Sequence, residues 1–527
     1  MSELETQVKR RRTFAIISHP DAGKTTMTEK LLLYGGAIRM AGAVKARRAA
    51  AHATSDWMEI EKQRGISVTS SVMQFEYDGH CINILDTPGH QDFSEDTYRT
   101  LMAADAAVML IDGAKGVEPQ TIKLFHVCRM RHIPIFTFIN KMDRAAKHPI
   151  DLMEEIESVL GIRSYPMNWP IGTDGDFKGI YKRHESEIEL YSGGNHGQTM
   201  VNSSTGDVYD ESFAEIIGQS YYDRLLEEIE LLDMAGDDFD IEQVNKGELT
   251  PIYFGSAMNN FGVETFLHSF LKLAPYPSIK LTQNGTVDPM DSNFSGFVFK
   301  IQANMDPAHR DRIAFLRICS GKFEKGMSVY HVQGGKKIKL AQPQQFMAQD
   351  RATVEEGYAG DIIGLFDPGI FSIGDTLSED DMSVVYEGIP SFSPEIFARV
   401  HVSNTMKRKQ FQKGMQQLAQ EGAIQIFKDM NIGIEEYVVG AVGVLQLEVL
   451  EYRLINEYSC EPSINRMPYR FARWITSPID DIDSLKLTST TRVVHDMQDR
   501  YVLLFENQWS IDWALENNKG LEFIDHM

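Results

Sequence analysis

The segment "FAIISHPDAGKTT", Phe14 to Thr26, constrains the fold of this 527-residue chain more than any other. A β-rich apolar run ends at Ser18, the loop "SHPDAGKTT" follows, and a helical pattern begins after it. Backbone N–H groups of such a loop, with those of the following helix N-terminus, can cradle phosphate groups. Lys24 would reach the β and γ oxygens, and Thr25 would offer its hydroxyl to Mg²⁺. The segment predicts a phosphate-binding loop, although an ordinary strand-to-helix turn also fits it when it is taken alone.

The surrounding pattern predicts a multidomain α/β protein. From Thr13 to about Pro277 short β-rich runs alternate with helical patterns, which is typical of a mostly parallel sheet with helices on both faces. The pair Asp78-Gly79 predicts a hairpin that adds one antiparallel strand. We expect a nucleotide-binding domain over residues 1–280 with an inserted subdomain at about 165–247. A β-barrel domain at 281–390 and a C-terminal α/β sandwich domain at 391–527 would follow.

The motif "DTPGH", Asp86 to His90, follows the predicted strand "INILD". A carboxylate at a strand end can hold Mg²⁺ through water, and the Gly89 N–H can meet a γ-phosphate that is present only before hydrolysis. The loop after this strand, the second switch, would then respond to the state of the nucleotide. A Pro-Gly turn that closes a strand is the alternative.

Two further motifs predict which base is bound. In "NKMD", Asp143 can accept from N1–H and the exocyclic amine of guanine, a donor pair that adenine lacks. Asn140 can bond the other base edge, and the stem of Lys141 can lie over the ring. In "GSA", the backbone from Ser256 to Ala257 can meet guanine O6. The motifs select GTP over ATP.

The segment "EKQRGISVTSS" ends a stretch of about 35–70, the first switch, that shows few core signals. Ser67 could place its hydroxyl on Mg²⁺ while its N–H meets the γ-phosphate. The five elements, which follow one another along the chain as "SHPDAGKTT", "EKQRGISVTSS", "DTPGH", "NKMD" and "GSA", predict a P-loop GTPase domain that binds GTP or GDP with Mg²⁺. The predicted nucleotide-binding residues are Ser18, His19, Pro20, Asp21, Ala22, Gly23, Lys24, Thr25, Thr26, Asp86, Thr87, Pro88, Gly89, His90, Asn140, Lys141, Asp143, Ser256 and Ala257. The predicted metal ligands are Thr25, Ser67 and, through water, Asp86.

His90 is the predicted catalytic residue. It stands where other GTPases carry a glutamine that orients the attacking water. If a partner must turn His90 inward, the intrinsic rate stays low and hydrolysis reports docking of that partner.

Composition limits the partners and the cellular compartment that we expect for the chain. Lys and Arg number 52 against 75 Asp and Glu, a net charge of −23, so we do not expect sequence-independent binding of free DNA, and any contact with nucleic acid must come from local basic patches. The four cysteines show no disulfide or zinc spacing, and no signal peptide or membrane span is found. We expect a cytoplasmic monomer. Two basic clusters could face RNA or simply be solvated, namely Lys407, Arg408, Lys409 and Lys413, and Lys45, Arg47 and Arg48.

The residues above, together with longer strings, resemble the translational GTPases and more closely the bacterial release factor three family of class II release factors. The strings are "SHPDAGKTT", "HATSDWMEIEKQRGISVTSS", "FARVHVSNTMKRKQFQKGMQQLAQEGA" and "GAVGVLQLEVLEYRLINEYS". The resemblance implies a ribosome-dependent GTPase of translation termination that promotes departure of class I release factors after peptide release. It also implies contact with ribosomal RNA and proteins, with His90 acting when ribosomal RNA positions it. Two alternatives remain open: an elongation or translocation factor, and a GTP-regulated binding scaffold.

Overall fold

The computed structural model shows an α/β region, an all-β region and a second α/β region in chain order. It describes residues 2–38, 67–172, 176–192, 202–235, 238–303, 312–340, 343–347, 350–379, 384–389, 392–402, 404–429, 436–479 and 481–525. Most of the predicted first switch, with Lys45, Arg47 and Arg48, lies outside these residues.

The first region is built around one large sheet. Its strands and those of a smaller sheet are β1 (Arg11–Ser18), β2 (Ser71–Tyr77), β3 (His80–Asp86), β4 (Ala106–Asp112), β5 (Ile135–Asn140), β6 (Arg163–Pro166), β7 (Asn168–Ile171), β8 (Gly179–Lys182), β9 (Glu187–Ser192), β10 (Asn202–Asp207) and β11 (Leu249–Phe254). Its helices are α1 (Glu3–Lys9), α2 (Lys24–Tyr34), α3 (Ser94–Met102), α4 (Pro119–Met130), α5 (Pro149–Leu160), α6 (Ser212–Ile217), α7 (Gln219–Ala235), α8 (Ile241–Asn245) and α9 (Val263–Leu273).

The large sheet has the strand order β2-β3-β1-β4-β5-β11-β6 and is parallel except for β2. Every residue of β1, β4, β5 and β11 is buried, as continuous apolar runs covered on both faces require. The hairpin prediction is confirmed, because Asp78 and Gly79 both adopt positive φ between β2 and β3. The carboxyl ends of the parallel strands therefore share one edge, where ligands of such sheets bind.

The segment before β11 departs from the simple alternation, as its turns predicted. Strands β7 to β10 form a separate antiparallel sheet in the order β10-β9-β8-β7. The sequence did not reveal β6, a four-residue strand that pairs with β11 at the edge of the large sheet. Its sequence "RSYP" contains a proline and too few residues to show a period.

The described residues of the all-β region form twelve strands: β12 (Lys280–Thr282), β13 (Gly285–Val287), β14 (Ser295–Ala303), β15 (Arg312–Ser320), β16 (Lys322–Glu324), β17 (Ser328–His331), β18 (Lys336–Lys339), β19 (Pro343–Met347), β20 (Asp350–Thr353), β21 (Glu356–Tyr358), β22 (Ile362–Phe366) and β23 (Thr376–Ser378). Eight of them form one antiparallel sheet in the order β18-β17-β23-β14-β15-β22-β19-β20. Its core includes Phe294, Val298, Leu316 and Phe323.

Over the part of the C-terminal region that the structure describes, the strands form two sheets, a division that the predicted α/β sandwich did not specify. Its strands are β24 (Ile396–Val402), β25 (Gln425–Phe427), β26 (Glu436–Ala441), β27 (Pro462–Met467), β28 (Phe471–Ile475), β29 (Arg492–His495), β30 (Tyr501–Phe505) and β31 (Phe523–Ile524). Its helices are α10 (Arg408–Gln420), α11 (Val444–Asn456) and α12 (Gln508–Asn517). Helices α10 and α11 cover the sheet β25-β26-β24-β27, and α12 packs on the sheet β29-β30-β28-β31.

A buried ion pair joins the first region to the all-β region. The guanidinium of Arg317 on β15 contacts the carboxylate of Asp105, and both side chains are fully buried. Lys280 lies 3.1 Å from the same carboxylate. Burial alone would raise the pKa of Asp105, but Arg317 and Lys280 hold it below its usual value. The contribution of this pair to stability is thus present above the pKa of an unfolded aspartate and is lost on acidification.

Replacing Asp105 with alanine should lower the free energy of unfolding by roughly 3–5 kcal/mol, because Arg317 then becomes an uncompensated buried charge. Urea denaturation followed by circular dichroism measures the loss. The control is Asp499→Ala, which removes an exposed ion pair with Lys428 and should barely move the urea midpoint. Equal shifts for the two variants would contradict a special role for the buried pair.

Candidate nucleotide-binding site

The loop between β1 and α2 takes the path that phosphate binding requires. Helix α2 begins at Lys24, and Gly23 before it adopts φ +101°, a conformation that favours glycine. A Cβ at Gly23 would lie 2.3 Å from Nδ2 of Asn140. Gly23 therefore allows the phosphate loop to lie directly against the loop that follows β5.

An open cleft lies at the carboxyl ends of β1, β3 and β5. It encloses about 940 Å³ of space, part of it open to solvent. The residues that line it are Ser18, His19, Pro20, Asp21, Gly23, Lys24, Thr25, Thr26, Ser67, Gly89, His90, Asn140, Lys141, Asp143, Arg144 and Met258. Residues of three predicted motifs, "SHPDAGKTT", "DTPGH" and "NKMD", thus meet with Ser67 around one cavity.

Six predicted residues are absent from this lining, namely Ala22, Asp86, Thr87, Pro88, Ser256 and Ala257. Several of them hold the lining residues in place. The Thr87 hydroxyl donates to the carbonyl of Ile16 on β1 at 2.7 Å and is fully buried. This contact fixes the start of the second switch against β1, the strand that leads into the phosphate loop.

Asn140 connects three loops through its side-chain amide. Its Nδ2 donates to the Ala22 carbonyl in the phosphate loop at 2.8 Å. Its Oδ1 accepts from the N–H groups of Lys141 and Ala257, each at 2.8 Å. These amide atoms bond the surrounding loops, and the role of Asn140 at the base edge stays a prediction. Its position fixes the spacing between the phosphate end and the base end of the cleft.

Lys24 and Asp86 form a buried ion pair at the phosphate end. The Lys24 ammonium lies 2.6 Å from a carboxylate oxygen of Asp86, and both side chains are almost fully buried. A buried ammonium next to the α2 N-terminus makes this end of the cleft suited to anionic phosphate groups.

Asp143 has an unsatisfied acceptor at the base end. Its Oδ2 accepts from Nδ2 of Asn259 at 3.0 Å, whereas its Oδ1 is buried and has no hydrogen-bond partner among the described residues. A buried acceptor without a donor is costly, so the geometry favours a ligand that supplies N–H groups. Guanine does so through N1–H and its amine. Sequence reasoning missed Asn259, Arg144 and Met258, because no motif spacing marks them.

Lys141 is anchored by the end of β4. Its ammonium lies 2.6 Å from the Asp112 carboxylate and also donates to the Asp21 carbonyl in the phosphate loop. Burial alone would raise the pKa of Asp112, but the hydrogen bond from Lys141 is the main influence that keeps it below its usual value. Asp112 therefore stays charged and holds the Lys141 stem across the cleft.

His90 lies at the rim of the cleft and caps a short 3-10 helix, Gln91–Phe93. Its Nδ1 accepts from the Asp92 N–H at 3.2 Å, and about a third of its side chain is exposed. With Nδ1 acting as acceptor, the neutral ring carries its proton on Nε2. The imidazole therefore presents a donor to its surroundings while its other nitrogen is held by the second switch.

The same 3-10 helix contacts the C-terminal region. An Asp92 carboxylate oxygen accepts from the Leu445 N–H at the start of α11, at 2.8 Å. Phe93 packs with Val449 of α11 and with Val68, which follows Ser67. Both switches therefore contact the C-terminal region close to the cleft. Val68 is next to Ser67 in sequence, and Asp92 and Phe93 follow His90 after one intervening residue.

Comparisons with known proteins agree with this geometry. Residues 9–276 match the family model described as the elongation factor Tu GTP binding domain, and residues 293–380 match elongation factor G domain 2. Residues 386–515 match the C-terminal domain of the class II release factor RF3. The chain is 60% identical to peptide chain release factor 3 of Symbiobacterium thermophilum over 524 residues, 99% of each protein. The chain belongs to the peptide chain release factor 3 family.

Other relatives have similar coverage. Peptide chain release factor 3 of Listeria monocytogenes is 55% identical over 521 residues, 99% of this chain and 98% of the relative. That of a Cyanothece strain is 53% identical over 521 residues, 99% and 96% of the two proteins. A crystal structure of a Thermus thermophilus protein superposes with a TM-score of 0.70 at 22% identity, covering 93% of this chain and 72% of that one. That likeness supports the fold.

Membership of the release factor 3 family answers the question that the motifs left open. The chain is a guanine-nucleotide-binding GTPase of translation termination, a process that takes place on the ribosome. The family assignment favours a termination factor over an elongation or translocation factor. The match to a GTPase domain favours an enzyme over a GTP-regulated binding scaffold. Among the described residues, no helix has the length and apolar character needed to cross a membrane.

Replacing Asn259 with alanine should weaken the preference for GTP over inosine triphosphate by about threefold to tenfold. Asn259 donates a hydrogen bond to Oδ2 of Asp143 and so orients the carboxylate. Without that bond the carboxylate can rotate, and its hydrogen bond with the guanine amine should weaken. Competition against a fluorescent GDP analogue measures both affinities. Because inosine lacks the amine, the ratio isolates the base contact, and an equal loss for both nucleotides would indicate a general structural defect instead.

Proposed function

We propose that this chain binds GTP with Mg²⁺ and uses its hydrolysis on the ribosome to promote dissociation of class I release factors after peptide release. The proposal is supported most directly by the contact between the second switch and the C-terminal region. That region matches the C-terminal domain of the class II release factor RF3. Through this contact, the state of the nucleotide and the placement of the C-terminal region can influence each other.

The cleft has groups suited to each end of GTP. Lys24 and the N-terminal N–H groups of α2 meet the phosphates, and Gly89 lies where its N–H can approach the terminal one. Asp143 accepts from the guanine edge, and the stem of Lys141 lies beside the ring. Adenine lacks the donor pair of guanine, N1–H and the amine, and would leave the buried Oδ1 of Asp143 without a partner, which explains the selection of GTP over ATP.

Oxygen donors at the phosphate end fit Mg²⁺. Thr25 and Ser67 line the cleft, and the buried Asp86 carboxylate is paired with Lys24 at the same end. Mg²⁺ prefers such hard oxygen ligands and keeps several waters, which agrees with Asp86 acting through water. When bound, the metal neutralises charge on the phosphate oxygens. Ser67 would couple this site to the first switch.

His90 would orient the water that attacks the γ-phosphate. Its Nδ1 bond to the Asp92 N–H leaves Nε2–H to donate to the water oxygen. With a third of the side chain exposed at the rim, the ring has room to turn. Ribosomal RNA that holds the ring inward would raise the rate, since activation in trans of other GTPases supplies ~10³ to 10⁵.

The remaining partners follow from the family and the charge distribution. Lys407, Arg408, Lys409 and Lys413 lie at the start of α10 on the C-terminal region, with Lys409 and Lys413 exposed. They remain a candidate contact with ribosomal RNA in an otherwise acidic protein. We further propose that the protein acts as a cytoplasmic monomer that contacts ribosomal proteins and class I release factors.

The deciding experiment follows a labelled class I release factor on ribosomes that have just released their peptide. Its dissociation rate is measured with and without this protein, and with GTP, GDP or a non-hydrolysable GTP analogue. Acceleration that requires this protein and GTP supports the proposal. No acceleration, with ribosome-stimulated hydrolysis intact, would move the function to another step of termination.

Replacing Asp92 with alanine should lower ribosome-stimulated turnover by about threefold to tenfold and leave GTP affinity unchanged. The change removes the acceptor for the Leu445 N–H and loosens the second switch from α11. Phosphate release at saturating ribosomes measures turnover. Asp92→Asn keeps an acceptor oxygen and should restore most of it, so a defect equal in both variants would contradict the role of this hydrogen bond.

A further inference from the structure

Helix α12 has one buried face and one exposed face. Ser510, Ile511 and Ala514 are buried, and Ile511 and Ala514 join the core of the last sheet. On the opposite side, Trp509 is 63% exposed and Trp513 is 39% exposed. The two indole rings lie next to each other, with centroids 5.5 Å apart. Two adjacent exposed tryptophans are unusual, because such a surface is costly in water unless a partner covers it.

Carboxylates stand on the same stripe as the tryptophans. Helical spacing of three and four residues places Trp509, Asp512, Trp513 and Glu516 along one face. All four side chains are exposed, and the ten residues of α12, "QWSIDWALEN", contain no Lys or Arg. Asp512 accepts from the Gln508 amide at 2.9 Å, and no cation lies over either indole among the described residues. The face therefore combines π surfaces with negative charge.

We propose that the exposed face of α12, defined by Trp509, Asp512, Trp513 and Glu516, docks a protein segment that carries arginine or lysine side chains. Indole is the best aromatic partner for a cation, and a guanidinium can lie flat on it while bonding a neighbouring carboxylate. The alternation of ring and carboxylate along the stripe fits successive basic side chains. A nucleic-acid backbone would place phosphates next to Asp512 and Glu516, so charge complementarity selects a basic protein segment.

This docking surface is separate from the nucleotide cleft and does not depend on the proposed function. Helix α12 packs on the second sheet of the C-terminal region, whereas the second switch contacts α11, which packs on the first sheet. Binding at α12 can therefore be measured without ribosomes and without nucleotide turnover.

The test uses the full-length protein and fluorescence anisotropy in about physiological salt. The probe is a labelled peptide of alternating arginine and leucine, with a glutamate and leucine peptide and a labelled oligouridine as comparisons. We expect the arginine peptide to bind. Trp509→Ala/Trp513→Ala should weaken it by roughly tenfold or more, and Asp512→Asn/Glu516→Gln by about threefold.

A matched control separates this surface from general attraction to an acidic protein. Leu231→Ala/Met234→Ala removes two exposed apolar side chains, 51% and 71% exposed, from the acidic helix α7 and should leave peptide affinity unchanged. Trp509→Leu/Trp513→Leu keeps apolar bulk without a π face, so it should still weaken binding if the alanine variant fails to fold. The proposal is overturned by failure of the arginine peptide to bind, by equal affinities in tryptophan and control variants, or by preference for oligouridine.

Discussion

Replacing His90 with alanine should reduce ribosome-stimulated GTP hydrolysis by roughly 10³-fold and leave GTP affinity within about twofold. The imidazole is held at the rim of the cleft by the Asp92 N–H, and it forms no hydrogen bond with the phosphate loop among the described residues. Its loss should therefore remove water positioning while the binding groups stay in place. Phosphate release at saturating ribosomes measures turnover, and equilibrium binding of a fluorescent GTP analogue measures affinity.

Two further variants sharpen this prediction. His90→Gln introduces the side chain that orients water in other GTPases, so it should recover part of the lost rate. Gln91→Ala changes the exposed neighbour of His90 and should leave turnover near that of the unaltered protein. Unchanged hydrolysis in His90→Ala would refute the catalytic assignment. A matching loss in Gln91→Ala would place the effect in the folding of the second switch.

The central sheet could be predicted because its strands carry strong local signals. β1, β4 and β5 are apolar runs, and the turn signal at Asp78-Gly79 predicts the hairpin that contains β2. The edge strand β6 escaped because four residues with a proline show no period. The division of the C-terminal region into two sheets escaped for another reason. Pairings such as β28 with β31 join segments about 50 residues apart, and no local pattern reports which strands meet.

The lining of the cleft could be predicted largely through motifs, because close approach of a backbone to phosphate restricts residue choice at fixed spacings. The supporting contacts could not. Asn259 reaches Asp143 across 116 positions of sequence, and Asp112 reaches Lys141 from a different strand end. Neither residue type is unusual in a loop, so only the fold reveals the contact. The same holds for Asp92, whose partner Leu445 lies in another region of the chain.

Replacing Asp143 with asparagine should weaken GTP binding by about 10² to 10³-fold and improve binding of xanthosine triphosphate. The buried Oδ1 of Asp143 has no hydrogen-bond partner among the described residues, so it is placed to accept from a ligand N–H. An amide at this position keeps one acceptor and adds a donor. That donor clashes with the guanine amine but suits the oxygen that replaces the amine in xanthine.

The prediction is measured by competition of both nucleotides against a fluorescent GDP analogue. Asp143→Ala is the control, because it should weaken GTP without favouring xanthosine triphosphate. If the asparagine variant kept its preference for GTP, "NKMD" would not contact the base, and Asn259 would lose its proposed role as well. If the preference reverses, ribosome-stimulated hydrolysis of xanthosine triphosphate by the variant would show that His90 and the switches act on the phosphates regardless of the base. Base recognition and hydrolysis would then be separable in this protein, as expected from their placement at opposite ends of one cleft.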